Sequence, residues 1–272
     1  MEDFFGRRIE RIFKLAEQDA ENLALVVFPK FLLEIVRKYF RVEVEGLEHI
    51  PKRGRALIAP NHSGCMGFDA VVLGHVLHEE LQRIPRILTL WTFFKVFPMF
   101  QGVAHKLGLK SASTENGVAL LKKHHLTVCF PEGEGGSFKP SSQAYRLQKF
   151  HTGFVRMALL TGAPIVPCLI VGAEETTINL GTLRLARYLK PVVLPIPLNA
   201  LTPLPSKWKI RFLPAIDLSS YKKEDAMDRA KMEALAETIR GQIQTAIDSE
   251  VRKRPYVYIR GRRPRPPEVA PI

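Results

Sequence analysis

Ala56-Leu57-Ile58-Ala59 leads through Pro60 into Asn61-His62-Ser63-Gly64, and this stretch decides the fold class. A short, unbroken apolar run bounded by turn residues fits a strand covered on both faces, the kind found in parallel sheets. The polar, glycine-bearing segment behind it is then the loop at that strand's C-terminal end. The same order returns downstream, where Leu126-Thr127-Val128-Cys129-Phe130 runs into Pro131-Glu132-Gly133. In open α/β sheets, loops at the C-terminal ends of strands converge on one site. His62, Asp69 and Glu132-Gly133 are therefore expected to meet.

Outward from these two strands the pattern alternates. Residues 42–45 read as an exposed-edge strand, 69–80 as a helix, 86–90 as a strand and 116–123 as a helix. Residues 154–161 are helical with Gly162 as the stop, 165–171 are a buried strand, and 208–212 alternate as another. Met232, Leu235, Ala236, Ile239, Ile243 and Ile247 fall on one stripe, which predicts a long C-terminal helix over 224–251. This alternation predicts an α/β fold, with a mostly parallel or mixed central sheet flanked by helices. The segment 191–205, with five prolines, reads as an irregular surface loop. Phe4, Ile9, Ile12, Phe13, Leu15 and Ala16 recur at helical spacing, and Leu23, Val26 and Val27 carry the pattern to Pro29. Residues 1–40 are thus expected to form a pair of amphipathic helices, lying in a membrane interface or packed on the core. Residues 41–252 make the main domain, and 253–272 a basic, proline-rich tail.

An alcohol at neutral pH is a poor nucleophile, and a neutral imidazole is a suitable base to take its proton. A carboxylate on the other ring nitrogen fixes the tautomer and stabilises the imidazolium that forms. Asp69 suits that role for His62, and it equally suits capping the helix that follows. Six residues lie between the two. On a continuous helix they would stand about 10 Å apart, so Gly64 and Gly67 must let the segment loop back. Backbone N–H groups near Gly133 can meet charge that develops on a carbonyl oxygen.

Taken in order, Asn61-His62-Ser63-Gly64, Asp69, Phe130-Pro131-Glu132-Gly133 and Gly162-Ala163-Pro164-Ile165-Val166-Pro167 resemble the signature blocks of the glycerolipid acyltransferases. This is the lysophosphatidic-acid acyltransferase superfamily, and the resemblance covers about residues 42–213. It implies O-acyl transfer from an acyl thioester, acyl-CoA or acyl-carrier protein, to a glycerolipid hydroxyl, with no metal and no further cofactor. His62 would be the base and Asp69 its orienter. Asn61, Ser63, Glu132, Gly133, Gly135 and Lys139 would contact substrate, and Pro164, Ile165 and Pro167 would shape the acyl channel. The superfamily usually sets four residues between the histidine and the aspartate. The longer spacing here resembles a bacterial branch near the mono- and diacylglycerol acyltransferases. Phosphate-acceptor members usually carry an arginine where Gly135 stands, and another in a block where residues 102–117 offer only Lys106 and Lys110. A lysophospholipid such as lysophosphatidate is the favoured acceptor, with Lys139 near its phosphate. A mono- or diacylglycerol is the alternative.

Composition narrows the partners. The 272 residues carry a net charge of +13, yet no nucleic-acid reading module is present. Anionic phospholipid and the phosphates of a thioester donor fit that charge better than nucleic acid. Cys65, Cys129 and Cys168 lie far apart, with neither disulfide-framework nor metal-ligand spacing, and His75 and His78 have no third ligand. The N-terminus opens with an acidic pair, so no secretory signal is expected. The apolar run 23–40 is broken by Lys30, Glu34, Arg37 and Lys38, so no transmembrane helix is expected. The expected location is the cytoplasmic face of a membrane, held peripherally, with the aromatic segment 88–100 as a lipid-facing or acyl-lining element. No G-x-S-x-G is present for a serine hydrolase. A thioesterase using water as acceptor, or a lipid-binding protein without turnover, remain the other classes.

Overall fold

The computed structural model describes residues 28–64, 67–89, 108–185, 192–200, 202–254 and 256–258. The N-terminal helical pattern before Phe28, Cys65, the aromatic segment from residue 90 to 100, Lys106 and the end of the tail lie outside these residues. The chain divides into two units, Met1–Arg41 and Val42–Ile272. Within the first, helix α1 (Phe28–Tyr39) exposes Leu32, Ile35 and Tyr39, which share one stripe at helical spacing.

The second unit follows the alternation expected of it. Its elements run β1 (Glu43–Glu45), β2 (Ala56–Pro60), α2 (Phe68–Leu81), β3 (Arg86–Thr89), β4 (Leu109–Ser111), α3 (Thr114–Lys122) and β5 (Leu126–Cys129). There follow α4 (Glu134–Ser137), α5 (Gly153–Thr161), β6 (Ile165–Val171), β7 (Asn179–Leu185), β8 (Val192–Pro197), β9 (Lys209–Phe212) and α6 (Arg229–Lys253). Seven strands form one mixed sheet in the order β1-β9-β6-β2-β5-β3-β4. Pairing is parallel throughout except between β6 and β9. β2 sits between β6 and β5 and is buried along its whole length, as is β6. Their unbroken apolar sequence is what burial on both faces requires. α6 lays Ile239, Ile243 and Ile247 into a core that also holds Phe154, Val155, Ala158 and Ile165.

Three boundaries depart from the expectation, each for a local reason. The long C-terminal helix starts at Arg229 rather than 224, because the Asp228 side chain accepts from the Lys231 N–H and caps it there. Residues 223–227 form a separate turn of 3₁₀-helix. The proline-rich segment 191–205 is not simply a loop, since β8 pairs antiparallel with β7 in a two-stranded ribbon outside the main sheet. Both strands of such a ribbon are edges, where a proline without an N–H is tolerated. Arg254, placed by sequence in the basic tail, is instead tied to the domain. It is 9 % exposed, its guanidinium donates to both Glu175 carboxylate oxygens, and it also donates to Lys207 O.

Candidate active site

β2 and β5 are parallel neighbours, and the loops leaving their C-terminal ends bring His62 and Glu132 together. After β2 the chain loops through Gly64 and Gly67, both at positive φ, before α2 begins at Phe68. That loop folds Asp69 back, so that Asp69 Oδ2 lies 2.6 Å from His62 Nδ1. The same oxygen accepts from Ser63 N at 2.8 Å, and Oδ1 accepts from Ala70 N at 2.8 Å. Orientation of the imidazole and satisfaction of a first-turn N–H are thus both carried by one fully buried carboxylate.

Glu132 holds the other side of the histidine loop. Its buried carboxylate accepts from His62 N at 2.9 Å and from Gln148 N at 2.7 Å. The segment carrying Gln148 is clamped in turn by α6, where Gln244 accepts from Leu147 N and donates to Tyr145 O. Gly136 makes room for Glu132, because a Cβ there would stand 2.5 Å from Glu132 Cβ. Gly133 sits at φ +55° and ψ −143°, a conformation open to glycine. The Phe130 ring lies against His62 with centroids 4.3 Å apart.

Burial is the largest influence on His62 and acts downward. The charge and hydrogen bond of Asp69, with the charge of Glu132, outweigh it and hold the imidazole above its usual value of 6.5. Burial likewise raises Glu132, against Lys139 and the two backbone donors. Glu174, behind the loop, is pushed up by burial to about 7. Burial pushes the Cys129 thiol up to about 12, which suits a core thiol and not a nucleophile.

The remaining expected residues divide. Asn61 is fully buried and exchanges hydrogen bonds with Ile170 N and O across to β6, so it fixes the loop's exit from the sheet. Ser63 is buried and contributes its backbone N–H to Asp69. Gly135 lies exposed in α4. Lys139 is buried beside Glu174, with Nζ 2.8 Å from Oε1, and also donates to Arg146 O. Ile165 and Pro167 lie inside β6, opposite Leu57 and Ala59, and Pro164 O accepts from Leu57 N. Ile165 and Pro167 thus stand beside β2 in the sheet, on the strand next to the one that leads to His62.

An open cleft of about 610 Å³ adjoins the loop on its other side, lined by Lys149, Phe150, His151, Arg156, Met227 and Arg229 among others. The His151 ring lies 3.5 Å from where a Gly133 Cβ would stand. Arg156 Nε is buried there with no hydrogen-bond partner among the described residues. Lys149 and Arg156 were not singled out from sequence, because scattered cations carry no motif until the fold gathers them. Among the described residues no three His, Cys, Asp or Glu side chains are placed to hold a metal ion.

Uncharacterized proteins of Mycobacterium tuberculosis and Mycobacterium bovis are each 38 % identical over 222 residues, 78 % of this chain and 62 % of the relative. One of Mycobacterium leprae is 38 % identical over 228 residues, 80 % of this chain and 62 % of the relative. The match thus spans less than two thirds of these relatives' length. The fold is similar to that of the 1-acyl-sn-glycerophosphate (LPA) acyltransferase PlsC of Thermotoga maritima. The TM-score is 0.50 at 17 % identity, over 92 % of this chain and 90 % of that one. Residues 41–171, which contain the His62–Asp69 pair and the Glu132 loop, match the Acyltransferase family model.

Proposed function

We propose that the protein is an O-acyltransferase that moves an acyl group from a thioester to a glycerolipid hydroxyl, with His62 as general base. The 2.6 Å contact between His62 Nδ1 and Asp69 Oδ2 carries this reading. With Nδ1 held by Asp69, Nε2 is the nitrogen that takes the acceptor's proton. The acceptor oxygen bonds to the thioester carbonyl carbon, and the tetrahedral intermediate then expels the thiolate. That thiolate recovers the proton from the imidazolium and leaves as a thiol, so no covalent enzyme intermediate forms. Gly133 N–H is engaged by Phe130 O at 3.1 Å. The oxyanion donors therefore fall to the N–H groups of the turn that follows, in α4.

Lys139, held by Glu174, is not the phosphate ligand in this scheme. The cations of the cleft beside Gly133 take that part, Arg156 and Lys149 with His151. Arginine offers the planar fork that phosphate favours, and its buried Nε here has no other partner among the described residues. A lysophospholipid remains the favoured acceptor. The test is purified protein with acyl-CoA or acyl-carrier protein and a panel of lysophosphatidate, other lysophospholipids, monoacylglycerol and diacylglycerol, with products identified by lipid mass spectrometry. Ester formation on a lysophospholipid with one thiol released per ester supports the reading. Release of free fatty acid alone, whatever the acceptor, would make the protein a thioesterase.

A further inference from the structure

Among the described residues of the second unit, exposed large apolar side chains gather on and beside the β7–β8 ribbon. Ile178, Leu180, Leu183, Ile196 and Leu198 are 41 %, 60 %, 50 %, 43 % and 64 % exposed. Isolated apolar side chains on a surface are ordinary, but five on one ribbon call for a partner. A two-stranded ribbon is also marginal in water unless something covers it. Its base is nevertheless fixed: Asn179 donates to Phe138 O and Lys139 O and accepts from Ile196 N, while Ser141 Oγ accepts from Asn179 N. The anchoring segment directly follows the Glu132 loop and α4, so the ribbon rises from the rim of the candidate active site.

Charge identifies what covers it. From Thr176 to Ser206 the chain holds no Asp or Glu, while Arg184 lies in β7 and Arg187 and Lys190 fall in sequence between β7 and β8. Exposed leucines flanked by cations and free of acids fit the boundary between acyl chains and anionic headgroups. Pro195 and Pro197 remove two N–H donors from β8, which disfavours capture of another protein's strand along that edge. We propose that the β7–β8 ribbon is a docking arm that seats on an anionic lipid surface. This rests on the glycerolipid reading above, and it explains how a lipid acceptor reaches His62 without leaving the bilayer.

The test is flotation with vesicles of phosphatidylcholine, with and without phosphatidylglycerol, on the full chain. Leu180→Asp with Leu183→Asp should weaken binding to the anionic vesicles by roughly tenfold per leucine. Leu180→Ser with Leu183→Ser should act in the same direction, and unchanged thermal melts show that neither pair unfolds the protein. Transfer to a short-chain acceptor below its micellar concentration should be unaffected, while transfer to acceptor embedded in vesicles should fall. Wild-type flotation by both folded variants overturns the proposal. So does a shift from dimer to monomer in sedimentation with vesicle binding intact, which would make the ribbon a contact between two copies. Because flotation requires no turnover, it decides the matter even for a protein that transfers no acyl group.

Discussion

At the scale of single residues, two carboxylates set the behaviour of His62 from opposite sides. A base works in its neutral form, so activity falls as pH drops through its pKa. Asp69 and Glu132 hold that pKa above 6.5, which places the acid limb of kcat/KM above that value. In Asp69→Asn the raising charge is gone and burial pulls the imidazole down. The limb should then move to lower pH while the plateau falls, because the ring is no longer held in the working tautomer. A pH profile with the limb unmoved would show that Asp69 acts only on α2. Lys139 is expected to matter for stability rather than for substrate affinity. Removing it in Lys139→Ala leaves Glu174 buried and unpaired, at a cost of about 3–5 kcal/mol. The sign follows from the raised carboxyl. Its stabilising contribution is fully present below the ordinary value of 4.5 and is lost as pH rises through about 7. Without Lys139 the Glu174 carboxyl rises further, so the variant's deficit in chemical denaturation should grow as pH rises past about 7, where the wild-type carboxyl ionises beside Lys139 and the variant's does not. Lys139→Met with Glu174→Gln should recover much of it.

At the scale of elements, the short helix α4 is a spacer for Glu132. A methyl group at Gly136 would collide with the Glu132 side chain near its root, whereas one at Gly135 would meet Gln148 Cβ at an ordinary 3.8 Å. Gly136→Ala should displace the carboxylate from His62 N and lower kcat by as much as about 10²-fold, with Gly135→Ala near wild type. Equal activity of the two variants would mean that Glu132 does not position the histidine loop. The strands that carry the site were legible because burial on both faces leaves an unbroken apolar run, as at 56–59 and 165–171. β8 was not, because its prolines contradict a central strand and only the fold shows that it is an edge. The start of α6 was misplaced because the acids at 224 and 225 look like a first turn, while the Asp228 cap overrides them.

At the scale of the whole molecule, the parallel order β6-β2-β5 explains why two loops far apart in sequence share a site. The His62–Asp69 pair was legible because its chemistry needs two specific side chains close in sequence. What surrounds it was less so. Glu132 as a brace for His62 N, Gln244 as a clamp on residues 145–147, and Arg254 locked to Glu175 depend on contacts between segments remote in sequence. Lys139 was legible as a cation near the loop, but its engagement by Glu174 was not. Among the described residues no helix is long and apolar enough to cross a membrane. The role of His62 as the base for acyl transfer is read from the rate of ester formation from acyl-CoA and lysophosphatidate in wild type and His62→Ala. A loss of about 10²–10⁴-fold in a variant that melts like wild type is the expected result. Ester formation by folded His62→Ala at the wild-type rate would contradict the account.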